Sequence, residues 1–445
     1  MRTALALTVL LLIGALTLSL TGRLDAQHAS PFARPGSFDE TIQNTSGELF
    51  RSGQQVFRFD TFGSERFWSD TLKLNQAIVG SRFGGVGPGV GPAAALQTGL
   101  KVDVDMVPQS VLAGIQNGSV DLNDPANTVA LVAARAVVGV LPAGGSPPRI
   151  GLTCALCHST VDDSFAPGIG SRLDGWPNRD LNVGAIIAMA PDLGAFTNLL
   201  QVSDNTVRTV LRSWGPGKFD AELILDGKAF RPDGRTAATL IPPAYGLAGV
   251  NLHTYTGWGS VPYWNAFVAN LEMNGTGVFF DPRLNDATKF PVAARAGLGN
   301  RRPSNPNDDG ITARLPALQY YQLSIPAPTP PAGSFQQRAA DQGRGLFNGR
   351  ARCSTCHVPP LFTEPGWSMH TAAEIGIDDF QSSRSPDNRY RTTPLKGAWS
   401  RSKGGYYHDG RFPTLRAVVE HYNGVFSLRL TETEINDLVE YLKSL

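Results

Sequence analysis

The 445-residue sequence is poor in charge and in cysteine. Charged residues make up 17% of the chain, and 39 basic against 38 acidic side chains leave a net charge of +1. This near-neutrality excludes a globally basic nucleic-acid-binding protein, and a hydrophobic content of 42% excludes a disordered acidic chain. Four cysteines are too few for a disulfide scaffold. The positions of those four residues therefore carry most of the information about function.

Long apolar runs are also scarce, and the most prominent one lies at the N-terminus. Arg2 precedes an uncharged segment from Thr3 to Gly22, and Ala26 ends a small-residue cleavage site. This pattern predicts a signal peptide over residues 1–26 and a periplasmic mature protein. An uncleaved anchor is the alternative, because the segment approaches the length of a membrane span. Contact with a membrane is expected only in that case.

Both pairs of cysteines lie in the pattern C-x-x-C-H. The residues are Cys154, Cys157 and His158 in the first copy, and Cys353, Cys356 and His357 in the second. Two thiols at this spacing form thioethers to the two vinyl groups of one haem, and the adjacent histidine then binds the iron. Zinc sites usually place their further ligands at a distance from the cysteine pair, and thiol redox motifs occur in a thioredoxin-like context that this sequence lacks. The sequence therefore predicts two covalently attached c-type haems.

The haem motifs divide the chain into blocks. Residues 27–148 form an N-terminal extension of unknown role, and residues 149–300 form the first haem domain. A Pro-rich linker over residues 301–333 precedes the second haem domain, residues 334–445. We expect a mainly α fold in which two cytochrome c-like haem domains with long loops follow the N-terminal extension.

The second haem domain shows clear helix signals. Capping boxes are predicted at Ser334 with Gln337 and at Thr431 with Glu434. The second box opens a helix whose apolar stripe comprises Ile435, Leu438, Val439 and Leu442. A helix before the haem motif and a helix at the C-terminus are typical of a class I cytochrome c domain.

Three further motifs in this domain point to a family. They occupy residues 360–363, 390–397 and 407–415, and the last one leads into residues 418–423. Together they make residues 335–445 resemble the C-terminal domain of bacterial di-haem cytochrome c peroxidases and their MauG-type relatives. The first haem domain matches that family only loosely. The resemblance implies two haems, of which one reacts with peroxide and the other passes electrons.

The resemblance also implies a sixth ligand for the second haem. In that family the ligand follows the histidine of a His-Asp-Gly motif by fourteen residues, which leads from His408 to Tyr422. Ordinary peroxidases have methionine there, whereas MauG-type proteins have tyrosine. Independently, one helical face holds Leu415, Val418, Val419 and Tyr422, so Tyr422 is expected to point inward. Ligation by His421 or Met369, or a plain buried tyrosine, remain as alternatives.

An internal repeat relates the two haem domains. It aligns Pro243, Gly246, Tyr255, Gly259 and Pro262 with Pro394, Gly397, Tyr406, Gly410 and Pro413. Leu271 then stands opposite Tyr422, and leucine cannot bind iron. The repeat predicts a first haem that is open to peroxide or dioxygen. Met189, Met273 and His253 are the alternatives that would close it.

The remaining candidates support this chemistry. Cleavage of a bound peroxide requires a proton relay, for which the acid/base candidates are Glu222, Asp226, His253 and Glu272. Arg391 is a candidate partner of a haem propionate, because arginine binds carboxylates in a bidentate manner. Asp378 and Asp379 are a hint of the calcium ion that the family resemblance implies.

These observations predict an exported di-haem oxidoreductase. Hydrogen peroxide or dioxygen would react at haem 1, and haem 2 would relay electrons from a small redox protein or a membrane electron-transfer chain. The alternative is a non-catalytic electron carrier in which both irons are six-coordinate. An apolar pocket beside haem 1 would instead favour an oxygenase-like protein.

Overall fold

The computed structural model describes residues 36–445, and this part of the chain is mainly helical, as predicted. The predicted signal peptide, residues 1–26, lies outside the described residues. Residues 50–445 form one compact unit, to which the sites discussed below belong. Among the described helices, none has the length and apolar character that a membrane span requires.

The helices are short and are distributed along the whole described chain. They are α1 (Phe38–Phe59), α2 (Leu74–Val79), α3 (Pro92–Gln97), α4 (Gln109–Gln116), α5 (Pro125–Ala133), α6 (Ala155–His158), α7 (Val183–Ile187), α8 (Gly194–Leu200), α9 (Asp204–Ser213), α10 (Leu223–Asp226), α11 (Val261–Phe267), α12 (Pro291–Ala296), α13 (Leu315–Ser324), α14 (Gln337–Asn348), α15 (Phe380–Ser383), α16 (Leu415–Val425) and α17 (Glu432–Lys443). Wider π-helical turns occur at Arg66–Thr71 and Val268–Glu272.

The strands are very short and occur in pairs. The pairs are β1 (Val102–Asp103) with β5 (Ile169–Gly170), β2 (Val140–Pro142) with β3 (Ile150–Leu152), β4 (Ser159–Val161) with β6 (Arg172–Asp174), β7 (Lys218–Phe219) with β8 (Thr239–Leu240), and β9 (Phe279–Phe280) with β10 (Asn300–Arg301). Only the β1–β5 pair is parallel among the described strands. Such ladders fasten loops together, while the helices supply most of the core.

The crossing of α14 and α17 frames the second haem motif. The two backbones meet at Gly343, where an added Cβ would lie 2.0 Å from the carbonyl oxygen of Asp437. Only glycine permits this approach, because any other residue would push the helices apart. The predicted stripe Ile435, Leu438, Val439 and Leu442 is buried on α17. The contact holds α14, which leads into Cys353, against the C-terminal helix.

The two predicted capping boxes have different outcomes. At α17 the Thr431 side chain accepts a hydrogen bond from the Glu434 N–H, and the Glu434 carboxylate accepts one from the Thr431 N–H, as predicted. The Ser334 box is wrong, since α14 begins at Gln337 without a side-chain cap. Instead the Glu440 carboxylate of α17 accepts a hydrogen bond from the Gln336 N–H at 2.6 Å. A tertiary contact thus takes over the role of the local cap.

Candidate functional site

A cavity of about 530 Å³ opens beside the second C-x-x-C-H motif. Cys353, Cys356 and His357 form one side of it, and Tyr422 projects from α16 on another. Residues from the segment 149–300, among them Pro242 and Tyr255, also line the cavity. Its volume is typical of a site for a large organic cofactor. The motif therefore faces a preformed, mostly apolar space rather than a packed core.

A hydrogen bond to a backbone carbonyl fixes the orientation of the His357 imidazole. Its Nδ1 lies 3.1 Å from the carbonyl oxygen of Phe362, so this nitrogen donates its hydrogen and Nε2 is left as the lone-pair atom. Burial lowers the pKa of His357 to about 4, against a smaller opposing effect of the Phe362 carbonyl. A neutral imidazole with a fixed Nδ1–H is the state in which histidine binds iron.

The structure distinguishes Tyr422 from His421 and Met369, the alternative candidates for the sixth ligand. Tyr422 lines the cavity together with both cysteines of the motif, and burial raises its pKa. His421 points elsewhere, because its Nε2 lies 2.9 Å from the carbonyl oxygen of Ile375. Met369 lies against Gly257, where an added Cβ would be 2.9 Å from the methionine sulfur. Of these three residues, only Tyr422 offers its ligand atom to the cavity.

Three buried arginines line the other end of the cavity. Arg179, Arg391 and Arg401 each have a buried Nε that makes no hydrogen bond within residues 36–445. Burial, reinforced by the charge of Arg401, lowers the pKa of Arg391 to about 10. Each donates one hydrogen bond to a backbone carbonyl, and none forms an ion pair with a carboxylate among residues 36–445, so their charges match an anion bound in the cavity. His408, which also lines the cavity, adds a buried Nε2 without a partner.

The donor set of this cavity fits a c-type haem. Two cysteines can hold the vinyl groups, and a neutral imidazole lines the same cavity as the phenol of Tyr422. The arginines supply the positive charge that two propionates require. Sequence analysis had named Arg391 in this role, whereas it missed Arg179 and Arg401 because nothing in their local sequence distinguishes them from surface arginines.

The first motif shows the same histidine geometry. The Nδ1 of His158 lies 3.1 Å from the carbonyl oxygen of Pro242, and burial lowers the pKa of His158 to about 4. The imidazole is thus neutral and presents Nε2. Cys154 and Cys157 lie at the ends of a single turn, and each packs beside an apolar cluster. This half of the site also fits haem attachment.

The internal repeat predicts that α11 faces the first haem, as α16 faces the second. The two helices are not in register with each other. α11 widens into the π turn Val268–Glu272, so the residues after it do not continue the helical stripe. Leu271 packs among aromatic residues such as Trp258 and Phe267. Met273 instead shares an apolar cluster with Cys154, and the carboxylate of Glu272 helps to raise the pKa of the Cys157 thiol. Met273, and not Leu271, thus shares the apolar cluster of Cys154, while the open first haem that the repeat predicts stays a prediction.

Buried carboxylates lie behind Glu272. Burial, together with the charge of Glu222, raises the pKa of Glu272 to about 8. Burial likewise raises the pKa of Glu222, although Arg384 opposes the shift. Asp220 and Asp226 complete the group, and both are fully shielded from solvent. A single guanidinium cannot balance all these charges, so the pKa of Asp220 is raised to about 7 and that of Glu272 to about 8, in both cases mainly by burial.

The four acid/base candidates are therefore not equivalent. Glu272 is near enough to Cys157 to raise the pKa of its thiol, and Glu222 is near enough to Glu272 to raise the pKa of that carboxyl. Asp226 is held by Arg384 through bonds of 2.8 and 3.0 Å, which leaves its oxygens unavailable for proton transfer. His253 lies near Arg391 and its Nε2 is 3.0 Å from the carbonyl oxygen of Val250. His253 belongs to the surroundings of the second cavity rather than the first motif.

The predicted calcium site receives no support. Asp378 is paired with Arg231 and Arg411 at 2.8 and 2.5 Å. These guanidiniums hold the pKa of Asp378 well below its usual range. Asp379 joins no group of three metal-ligating side chains within residues 36–445. Arginine charges occupy the place where a cation would be needed.

One group of metal-ligating side chains does occur in the described chain, at the edge of the second cavity. Cys356, Glu364 and His370 have ligand atoms within 4.8 Å of one another. The Oε2 atom of Glu364 lies 2.7 Å from His370 Nε2 and 2.5 Å from the hydroxyl of Thr392. Cys356 belongs to the haem motif, and Glu364 and His370 bond to each other. The group therefore stabilises the conformation of that motif.

No family model matches the sequence. Methylamine utilization protein MauG of Methylorubrum extorquens is 26% identical over 236 residues, which cover 46% of this chain and 63% of that protein. The chain thus matches less than two thirds of this relative's length.

Two solved structures share 18% sequence identity with the chain. A MauG-like protein associated with microbial copper homeostasis has a TM-score of 0.27 over 50% of this chain and 76% of its own. Hydrazine synthase from Kuenenia stuttgartiensis has a TM-score of 0.25 over 49% and 76%, respectively. At such scores neither structure adds to the description of the fold.

Proposed function

We propose that this chain, whose predicted resemblance to MauG-type di-haem proteins is confirmed by the curated relative, is an exported di-haem c-type oxidoreductase. The observation that carries the proposal is the pair of C-x-x-C-H motifs whose histidines are both neutral and both fixed through Nδ1. Hydrogen peroxide or dioxygen is the proposed oxidant, and a small redox protein or a membrane electron-transfer chain is the proposed partner. The periplasm is the proposed location.

The residues that would hold the two haems follow from the geometry. Cys154, Cys157 and His158 would hold the first, and Cys353, Cys356, His357 and Tyr422 the second, with Arg391 and its neighbours on the propionates. When bound, the groups supply one-electron transfer and, at an iron with a free coordination position, reduction of peroxide or dioxygen. A phenolate ligand such as Tyr422 favours the oxidised state of its iron, which suits a site that stores oxidising equivalents.

Glu272 is the proposed proton donor at the first site. Reduction of hydrogen peroxide to two waters consumes two electrons and two protons. Glu272 holds a proton near neutral pH because its carboxyl is buried. Glu222 lies behind it and can return a proton to it, whereas Asp226 is retained by Arg384. The two glutamates thus form a short relay that leads towards Cys157.

The second candidate function is a non-catalytic electron carrier. The observation that favours it is Met273, which is buried and lies in the same apolar cluster as Cys154. A methionine sulfur is a common sixth ligand in electron-transfer cytochromes. If Met273 closed the first iron, no small molecule would reach it.

Carbon monoxide distinguishes the two functions. We expect the dithionite-reduced protein to bind carbon monoxide at one of its two haems, which would be seen as a shift of part of the Soret band. If neither haem responds, while a Met273→Leu variant does, the chain is an electron carrier. Met189→Leu serves as the matched control, because Met189 is partly exposed and belongs to another segment.

A Glu272→Gln variant tests the proton donor. General acid–base catalysis contributes about 100-fold or more, so we expect the second-order rate of reaction with hydrogen peroxide to fall by about that factor. A stopped-flow record of the Soret band measures this rate. An unchanged rate would exclude Glu272 from the relay.

The Glu272→Gln substitution should also change how the thermal stability of the protein depends on pH. Because the pKa of Glu272 is raised on folding, its contribution is fully present below about pH 4.5 and is lost as the pH rises through about 8. Relative to Glu272→Gln, the unchanged protein should therefore lose thermal stability between pH 5 and pH 9. Glu420→Gln, at an exposed position of α16, should show no such relative loss. Parallel pH profiles for all three proteins would contradict the assignment.

A further inference from the structure

Tyr407 places a second phenol beside Tyr422. Both tyrosines line the cavity of the second haem motif, and their ring centroids are 6.4 Å apart at an angle of 39°. The Tyr407 hydroxyl is buried and has no hydrogen-bond partner within residues 36–445. This hydroxyl thus lies in the same cavity as the residue that is proposed to bind iron, and its ring is next to that residue's ring.

The backbone holds Tyr407 in this position at some cost. Its φ of 68° lies in the left-handed region, which is unfavourable for a residue other than glycine. The bridge between Tyr406 and Phe412 fixes the turn, and the Phe412 ring packs edge-on against Tyr407 at 4.8 Å. A phenylalanine would fill the same space without burying an unsatisfied hydroxyl. The hydroxyl therefore calls for an acceptor among the groups that line the cavity, and Tyr422 is the phenol beside it.

We propose that Tyr407 is a positioning residue, whose hydroxyl donates a hydrogen bond to the phenolate oxygen of Tyr422 when Tyr422 binds the iron of the second haem. This inference rests on the proposed role of Tyr422 as ligand. A phenol is both donor and acceptor, and an ionised oxygen is the stronger acceptor. Partners of this kind orient a metal ligand and tune the metal behind it.

The direction of the tuning follows from charge. A hydrogen bond to the phenolate oxygen draws negative charge away from the iron, so the oxidised state loses part of its stabilisation. Tyr407 therefore raises the reduction potential of the second haem relative to a site without the hydrogen bond. Tyr422 favours the oxidised state, and Tyr407 limits how strongly it does so.

Tyr407→Phe in the haem-loaded, full-length protein is the test. The measurements are a redox titration of each haem and the resonance Raman bands of an iron-bound phenolate. We expect the phenolate bands to persist with a shifted iron–oxygen frequency. The oxidised-to-reduced equilibrium of the second haem should move about tenfold towards the oxidised state, which is about 59 mV for one electron. Tyr441→Phe removes a buried phenol of the same domain that packs on Phe347, and it should change neither quantity.

The possible results distinguish a failure of the proposed role of Tyr407 from a failure of the proposed role of Tyr422 as ligand. If Tyr422→Phe abolishes the phenolate bands but Tyr407→Phe leaves potential and frequency unchanged, the role of Tyr407 is overturned while Tyr422 stands as ligand. If the unchanged protein shows no phenolate bands, both assignments are overturned together. An equal shift in Tyr441→Phe would also contradict the inference, because the effect would then be a general result of losing a phenol.

Discussion

Replacing Cys353 and Cys356 with serine is expected to reduce the covalently bound haem from two per chain to one. Serine cannot form the thioether, so the second cavity would lose its attachment while the first motif remains intact. The absorbance of the pyridine haemochrome per chain and the mass of the denatured protein measure the loss. Replacing Cys154 and Cys157 instead should have the same quantitative effect.

The two double variants differ in what they retain. The variant without Cys353 and Cys356 should lose every spectroscopic sign of a phenolate ligand, because Tyr422 lines only the second cavity among those described. A Ser354→Ala variant, within the motif but outside the pattern, should keep both haems. If protein matured in a competent host carried no haem and bound zinc, the haem assignment would be wrong.

Replacing Arg384 with methionine is expected to lower the free energy of unfolding by about 3–5 kcal/mol. Its guanidinium is fully buried and lies 2.9 Å from Asp220 and 2.8 Å from Asp226. Removing one partner of a buried ion pair leaves uncompensated charge in a medium that cannot solvate it. Urea unfolding of the apo or haem-loaded protein measures the loss, provided that variant and parent carry the same haem content.

Two comparisons test the explanation for Arg384. Arg416→Met removes an ion pair at the surface of α16 and should leave the midpoint essentially unchanged. Adding Asp220→Asn and Asp226→Asn to Arg384→Met should recover part of the lost stability, because the stranded charges are then removed. A triple variant as unstable as Arg384→Met alone would show that packing, and not charge, is responsible.

The sequence predicted those parts of the site that local spacing encodes. The cysteine pairs and their histidines follow directly from one motif, and Tyr422 follows from a helical stripe as well as from family resemblance. The stripe is confirmed, since Leu415, Val418 and Val419 line the cavity with Tyr422. The capping box at Thr431 was likewise a local signal and is confirmed.

The missed features depend on contacts between distant parts of the chain. Arg384 meets Asp226 across 158 positions, and no periodicity connects them. The π turn at Val268–Glu272 shifts the register by an amount that a gapless alignment of repeats cannot express. Ser334 looked like a cap, yet Glu440 supplies the bond from a helix a hundred residues later. Whether the first iron is open stays a prediction, because it depends on where Met273 points once haem is attached.

The shared position of Pro242 has a consequence for how the two proposed redox centres would behave as a pair. Its carbonyl accepts the hydrogen bond of His158, and the same residue lines the cavity of the second motif. A movement of one imidazole therefore changes the wall of the other centre. Thermodynamic linkage makes such an influence equal in both directions. The two midpoints then belong to the pair as macroscopic constants, and titrating one centre alone would not yield the value it has when its neighbour is oxidised.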